Sequence, residues 1–385
     1  MHFTRRYFLA TTATGLAAAA LPAWAVVPST KVGCDFLSDV GAHWDDHVRP
    51  MMAERYHRMH HVLFHYIRNN WGGLRDDQKK DIAALGWSAP RPSMDLAGWD
   101  TRPGRKALFW HTANGSGEDF LFFHRWMIRM VDDMLEPFGL SIQPWSDRDE
   151  IPSPKRGCPD ESVPDFLPRF WDAQKKQAVD APEWLQIRVK QIKSDEFYWS
   201  KMAWWGHEFR DREYLASTTL GAFGSRLESG VHNQMHIRWS AYPSTGWNYL
   251  RDEPDFDKRW DDPKYDTLFD EYSSHISPNF FRLHKWIDNR INDWADAHGM
   301  KQEMTQYGFP WPKYDGKWVQ VKDQWTGPFG YDKPDEATKA KRLAVMEQVG
   351  PILNRPAPKA NQLQLQQEKN EEIEDRIISI RDLAE

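Results

Sequence analysis

The fold of this chain is organised around ten residues, Leu227-Glu228-Ser229-Gly230-Val231-His232-Asn233-Gln234-Met235-His236. On an α-helix, His232 and His236 would leave the same face one turn apart, with Cβ atoms roughly 5–6 Å from each other. Two ring nitrogens at that spacing can bind one metal ion. The chain has 15 histidines, so such a pair also arises by chance. Whether the pair binds a metal ion therefore has to be judged from the other histidines and motifs of the chain.

The first 25 residues have the features of an export signal. Arg5 and Arg6 precede a short apolar run that ends at Ala23-Trp24-Ala25, a small-x-small cleavage site. The paired arginines favour a twin-arginine signal, with the twin-arginine export machinery as a partner, over an ordinary secretory signal. We therefore predict that residues 1–25 are a signal peptide and that the mature protein is periplasmic or secreted.

The remainder of the chain is acidic and rich in aromatic residues. Loss of Arg5 and Arg6 leaves 48 basic against 56 acidic residues, a formal charge of 48 − 56 = −8, which argues against nucleic acid as a partner. No stretch after residue 25 approaches the roughly 20 apolar residues of a membrane span.

The 21 tryptophans indicate an aromatic core or, alternatively, stacking surfaces for sugars. Cys34 and Cys158 are candidates for a disulfide in an oxidising compartment.

Apolar periodicity predicts a first histidine-bearing helix over about 43–71. On its helical wheel, His65 lies closest to the apolar face and His61 lies a little further round. His57 lies opposite that face, so we expect it to be solvated. Either His65 or His61 can point inward, and His65 is the preferred candidate.

Two further helices each place one histidine among apolar residues. The segment 120–131 is apolar nearly all round, so His124 is predicted to be buried, and Ser116 is the expected cap before it. Ser277-Pro278 opens another helix, in which His284 lies on a stripe of apolar residues. His111 ends an apolar run before a Gly-rich turn. Long segments rich in Trp, Pro and Gly, including 140–180 and 305–335, are predicted to be loops.

Together these elements predict a mainly α fold, a four-helix bundle core that offers six histidine nitrogens, three for each of two metal ions. Imidazole is a good ligand for copper, and three imidazoles leave one coordination position open. A di-iron site would need two Glu-x-x-His units, and only Glu54-x-x-His57 is found. A catalytic zinc would use three histidines and leave the others unexplained.

Three motifs resemble the tyrosinase family of type-3 dicopper proteins. Phe120-Leu121-Phe122-Phe123-His124-Arg125 is similar to the signature at the first copper, and Leu227-Glu228 with His232-Asn233-x-x-His236 resembles the second-copper helix. The segment from Ser277-Pro278 to His284 and Asp288 resembles the one that bears the last ligand. The motifs cover about a fifth of the chain, in the family's order.

This resemblance implies the roles of individual residues. His124, with His111 and either His65 or His61, would bind the first copper. His232, His236 and His284 would bind the second. Glu228 and Asn233 match a pair thought to orient a water that helps to deprotonate a phenol; the alternative for Glu228 is a helix-capping charge.

The function that the resemblance implies is a copper-dependent oxidoreductase that uses O2. It would hydroxylate monophenols at the ortho position, oxidise catechols to quinones, or both, on a small or peptide-borne phenol. Three alternatives stay open: a catechol or aminophenol oxidase without monophenolase activity, a dicopper protein that binds O2 without turnover, and a metal-free, Trp-rich carbohydrate-binding protein. The expected domain organisation is a signal peptide (1–25), a dicopper domain (26–335) and a polar helical tail (336–385).

Overall fold

The computed structural model describes residues 43–95, 109–110, 114–145, 151–154, 163–252, 254–300, 318–330 and 332–355. Several predictions lie outside this part of the chain: the signal peptide, Cys34, Cys158, His111 and the end of the tail from residue 356. Over the described ranges the protein is mainly helical, as predicted. None of the described helices is both long enough and apolar enough to cross a membrane.

The longer helices, which we number in chain order, are α1 (Arg55–Asn70), α2 (Asp76–Ala84), α3 (Ser116–Leu135), α4 (Glu183–Lys193), α5 (Leu220–Leu227), α6 (Asn233–Arg238), α7 (Pro278–Ala297) and α8 (Glu336–Leu353). Short α-helical segments are Arg49–Met52, Asp195–Phe197, Ala203–Glu208 and Arg212–Ser217. Wider π-helical turns occur at Trp44–Val48, Tyr198–Met202 and Glu228–His232, and 3₁₀ turns at Trp71–Gly73, Glu136–Phe138, Lys258–Asp261 and Ser274–Ile276.

Two small antiparallel sheets complete the described secondary structure. Strand β1 (Met94–Asp95) pairs with β2 (Phe109–Trp110), and β3 (Arg169–Asp172) pairs with β4 (Gln177–Asp180). The β3–β4 hairpin lies within the segment 140–180 that was predicted to be loop, so that prediction is wrong there. The strands are only four residues long, which is too short to give a clear alternating pattern.

The starts of α3 and α7 differ in detail from the prediction. Ser116 is the first residue of α3 rather than its cap; Gly115 occupies the cap position with φ 80°. A Cβ at Gly115 would lie 2.3 Å from Val321 Cγ1, so both the backbone conformation and the space favour glycine. Helix α7 begins at Pro278 after Ser277, as predicted, but the Ser277 side chain makes no capping hydrogen bond.

Helices α3 and α5 cross at very short range because glycines meet at the crossing. A Cβ on Gly117 would lie 2.1 Å from the carbonyl oxygen of Gly221, and a Cβ on Gly224 would lie 2.4 Å from the carbonyl oxygen of Gly117. Only residues without a side chain allow the two backbones to approach this closely. The crossing brings the start of α3 against the helical run that continues through Glu228–His232 into α6.

Helix α8 covers the side of α1 that was predicted to face solvent. Lys339 contacts Glu54 at 3.1 Å, and Gln78 on α2 donates to the carbonyl oxygen of Ile352 at 2.9 Å. Beneath this cover His57 is only 7% exposed, and its burial lowers its pKa to about 3. The prediction that His57 is solvated was therefore wrong, because the periodicity of α1 carries no information about a helix that packs on it from the far end of the chain.

Candidate metal centre

Six of the seven histidines predicted as metal ligands converge at one place in the core. They come from four separate parts of the chain, and the seventh, His111, lies outside the described residues. The six are His61 and His65 on α1, His124 on α3, His232 at the end of the π-helical turn, His236 on α6 and His284 on α7.

The six rings form two overlapping groups. The ligand nitrogens of His61, His65 and His124 all lie within 4.8 Å of one another, and so do those of His124, His232 and His284. His236 adjoins the second group, with its ring centroid 4.5 Å from that of His232 and 5.5 Å from that of His284. Because both groups contain His124, they are neighbours. Each group can hold a metal ion.

In four of the six rings, hydrogen bonds fix which nitrogen carries the proton. The Nδ1 atoms of four histidines face backbone carbonyl oxygens, which can only accept, so these nitrogens donate and Nε2 keeps its lone pair. The pairs are His61 with Glu271 at 2.6 Å, His124 with Phe120 at 2.8 Å, His236 with Leu268 at 2.8 Å and His284 with Phe280 at 2.7 Å. Such outer contacts are the usual way in which proteins orient metal-binding imidazoles.

The opposite nitrogens lack partners although they are buried. Among the described residues, nothing hydrogen-bonds the Nε2 atoms of His61, His232, His236 and His284. The Nε2 atoms of His65 and His124 face each other at 3.2 Å, close to the roughly 3.3 Å that separates two nitrogens bound at about 2.0 Å to one tetrahedral ion. Buried polar atoms normally have a partner, and a metal ion bound between these rings would supply one.

The electrostatics of the centre keep the rings in the form that binds metal. Burial lowers the pKa of His61 to about 3 and that of His236 to about 4. Burial, helped by the neighbouring rings, also holds the pKa values of His65, His124, His232 and His284 well below their usual range. All six imidazoles are therefore neutral at pH 7, with lone pairs free for coordination.

Aromatic side chains hold the rings in place and exclude water. Phe280 stacks on His284 with 3.8 Å between ring centroids and 29° between planes. Phe120 meets His232 edge-on at 4.7 Å. Both phenylalanines are fully buried, so the cluster sits in a dry, aromatic surrounding rather than in a polar one.

Glu228 is occupied by an ion pair that the sequence did not reveal. Its two oxygens accept from Arg68 at 2.9 and 3.1 Å, and Arg68 also donates to the hydroxyl and carbonyl oxygens of Ser116. Arg68 lies one turn after His65 and Glu228 one turn before His232, so the pair ties α1 to the π-helical turn beside the centre. The role of Glu228 in orienting a water stays a prediction.

The other predicted catalytic residue contacts a histidine directly. The side-chain oxygen of Asn233 lies 2.9 Å from His232 Nδ1 and accepts a hydrogen bond from it. Asn233 therefore orients this ring as carbonyl oxygens orient four others. One neighbouring histidine was missed. His275 lies with its ring centroid 4.8 Å from that of His61, and its Nε2 faces the Met52 carbonyl oxygen at 3.0 Å. It belongs to a 3₁₀ turn too short for helical periodicity to show its direction.

No protein-family model matches this chain, and no curated protein is significantly similar to it. The interpretation of the centre therefore depends on its own side chains. Those side chains form buried, neutral, preoriented histidine groups that are able to hold metal.

Proposed function

We propose that the chain is a dinuclear copper oxidase of phenols, exported from the cytoplasm by the signal predicted at residues 1–25. In this proposal α1, α3, the run 228–238 and α7 form a four-helix core around two copper ions. The observation that carries it is the convergence of buried histidine nitrogens without protein partners. The first ion would be held by His61, His65 and His124, and the second by His232, His236 and His284; His111 remains a further candidate for the first.

The donor set supports copper over other metals. All seven ligand candidates are histidines, whose imidazoles suit copper, whereas magnesium, calcium and manganese favour oxygen donors. Glu228, the carboxylate among the predicted site residues, is engaged by Arg68 and offers no replacement for an imidazole. A structural zinc would need only four ligands, so the other histidines of this cluster would be unexplained.

The protein's own contribution is positioning and the exclusion of water. Bound copper would supply the redox chemistry that couples reduction of O2 to oxidation of a phenol. The backbone carbonyls behind four of the rings, and Asn233 behind His232, set the ring orientations before metal binds. The similarity of three motifs to the tyrosinase family is what directs the proposal to ortho-hydroxylation of monophenols and oxidation of catechols.

The first test is metal content and O2 uptake of the protein purified with copper supplied. We expect two coppers per chain and O2 uptake with a monophenol or a catechol. His232→Ala and His284→Ala should each lose at least one copper and the activity. The matched control is His207→Ala, because His207 is exposed and lies outside the cluster; it should keep both coppers.

Other outcomes separate the alternatives. Uptake with catechol alone would narrow the activity to a catechol oxidase. Copper without uptake would contradict the oxidase function while leaving the metal centre intact. Absence of copper under conditions that load other copper proteins would overturn the proposal. Quenching of tryptophan fluorescence by sugars would then support the carbohydrate-binding alternative.

A further inference from the structure

A pocket lies apart from the histidines, between α4 and the helical run 195–208. Its volume is about 160 Å³, and no histidine lines it. The walls combine two cationic side chains, two aromatic rings and small hydroxyl groups: Arg188, Lys201, Phe197, Trp205, Ser194 and Ser200.

The pocket lies against the helical run that bears His232 and His236. The Trp205 ring packs against Gly230, where a Cβ would lie 3.6 Å away, and Arg188 donates to the side-chain oxygen of Gln234 at 3.4 Å. Gly230 and Gln234 each stand two residues from His232, about 200° around a helix. The pocket is therefore on the far side of this run from the candidate metal centre.

Among the described residues, the two cations of the pocket have no anionic partner. Within the described ranges, no carboxylate forms an ion pair with Arg188 or Lys201. Arg188 donates only to neutral amide oxygens, at 2.9 Å to Gln191 and 3.4 Å to Gln234, and burial lowers its pKa. Glu196 also lines the pocket but is exposed and pairs with neither cation. A half-buried, uncompensated guanidinium favours binding of an anion.

The aromatic residues of the pocket indicate that the anion also carries an aromatic ring. Phe197 and Trp205 meet at 71° with 6.3 Å between ring centroids, so they form a corner, and the Arg188 guanidinium lies 5.5 Å from the Phe197 centroid. A cavity of about 150 Å³ is known to accept one benzene molecule. The volume here is thus enough for a single ring.

We propose that this pocket binds a single-ring aromatic carboxylate. The carboxylate would be held by Arg188 and Lys201, and the ring would pack against Phe197 and Trp205. A planar carboxylate matches the planar fork of arginine, which favours it over a spherical anion. The site is additional to the proposed dicopper centre and requires no metal.

Calorimetry on the full chain with three probes tests the proposal. Benzoate carries both features, acetate lacks the ring, and benzyl alcohol lacks the charge. We expect benzoate to bind at least tenfold more tightly than either of the others. The affinity should be the same for metal-free and copper-loaded protein, so a chain that binds no copper would still show it.

Variants locate the binding. Arg188→Gln should weaken benzoate binding at least tenfold, and Lys201→Gln provides a second variant if the first fails to fold. Lys190→Gln is the matched control, because Lys190 is exposed on the same helix and does not line the pocket. Equal binding of benzoate and acetate would overturn the proposal. So would binding that needs copper, or affinity that both pocket variants leave unchanged.

Discussion

At the level of single residues, the Arg68–Glu228 pair is sensitive to substitution because both side chains are buried. Arg68→Met leaves the Glu228 carboxylate buried without its partner, and breaking a buried pair costs about 3–5 kcal/mol. We expect a loss of that size in the free energy of unfolding, measured by urea denaturation. Replacing both partners by apolar residues, as in Arg68→Met with Glu228→Leu, should recover much of the loss.

The control for this pair is Arg212, whose ion pair with Asp296 is exposed. Arg212→Met should change the free energy of unfolding by less than about 1 kcal/mol, because exposed ion pairs contribute little. Equal effects of the two arginine substitutions would contradict the argument that burial sets the cost.

Among the elements, the crossing of α3 and α5 depends on the absence of side chains. In Gly224→Ala, the new methyl group would lie 2.4 Å from the carbonyl oxygen of Gly117, and backbone cannot move aside as a flexible side chain can. We expect a destabilisation of about 1–3 kcal/mol from overpacking. If the proposed copper centre is present, its affinity for copper should also fall, because α3 carries His124. Thermal unfolding and metal titration measure the two effects.

Gly73→Ala is the matched glycine control, since a Cβ at Gly73 would meet nothing within 4 Å. It should leave both the melting temperature and any affinity for the proposed copper ions close to those of the wild type. If Gly224→Ala behaves in the same way, the close crossing is not a constraint on this fold.

The helices also show which structural features sequence patterns predict and which they miss. The histidine-bearing helices and the burial of His124 and His284 were predicted correctly, because apolar spacing reports directly which side of a helix faces the core. Of His61 and His65 only one was expected to turn inward, and both do. Arg68 was missed because its partner is 160 residues away in the sequence, and no periodicity within one helix reports such a contact.

For the molecule as a whole, the buried histidines predict loss of stability in acid. The pKa values of His57 and His60 are lowered to about 3 and 4 by burial, below the 6.5 of an unfolded chain. The unfolded state therefore binds more protons, and stability present above pH 6.5 is lost as the pH falls. At pH 5 each such histidine costs about 2 kcal/mol. Four carboxyl groups act in the opposite direction, because burial raises the pKa of Glu118 to about 7 and also raises the pKa values of Asp119, Asp132 and Glu228. Among the described residues they are outnumbered by the nine histidines whose pKa values burial lowers.

Urea unfolding of the metal-free protein at a series of pH values from 8 to 5 measures this loss. His60→Leu should reduce the slope below pH 6.5 by about one proton, since His60 lies outside the proposed ligand set and its side chain is buried among aromatic rings. A free energy of unfolding that stays constant over this range would contradict the prediction.

The packing of α8 on α1 has a consequence for the order in which the protein is made. Helix α1 leaves the ribosome early, with His57 and His60 still uncovered, and its cover is the helix Glu336–Leu353, nearly 300 residues later. Contacts between such distant segments close a long loop and slow folding. Helix α1, which supplies the first histidines of the centre, is thus among the last helices to be covered by its packing partner. A nascent chain halted before residue 336 should expose it to proteases.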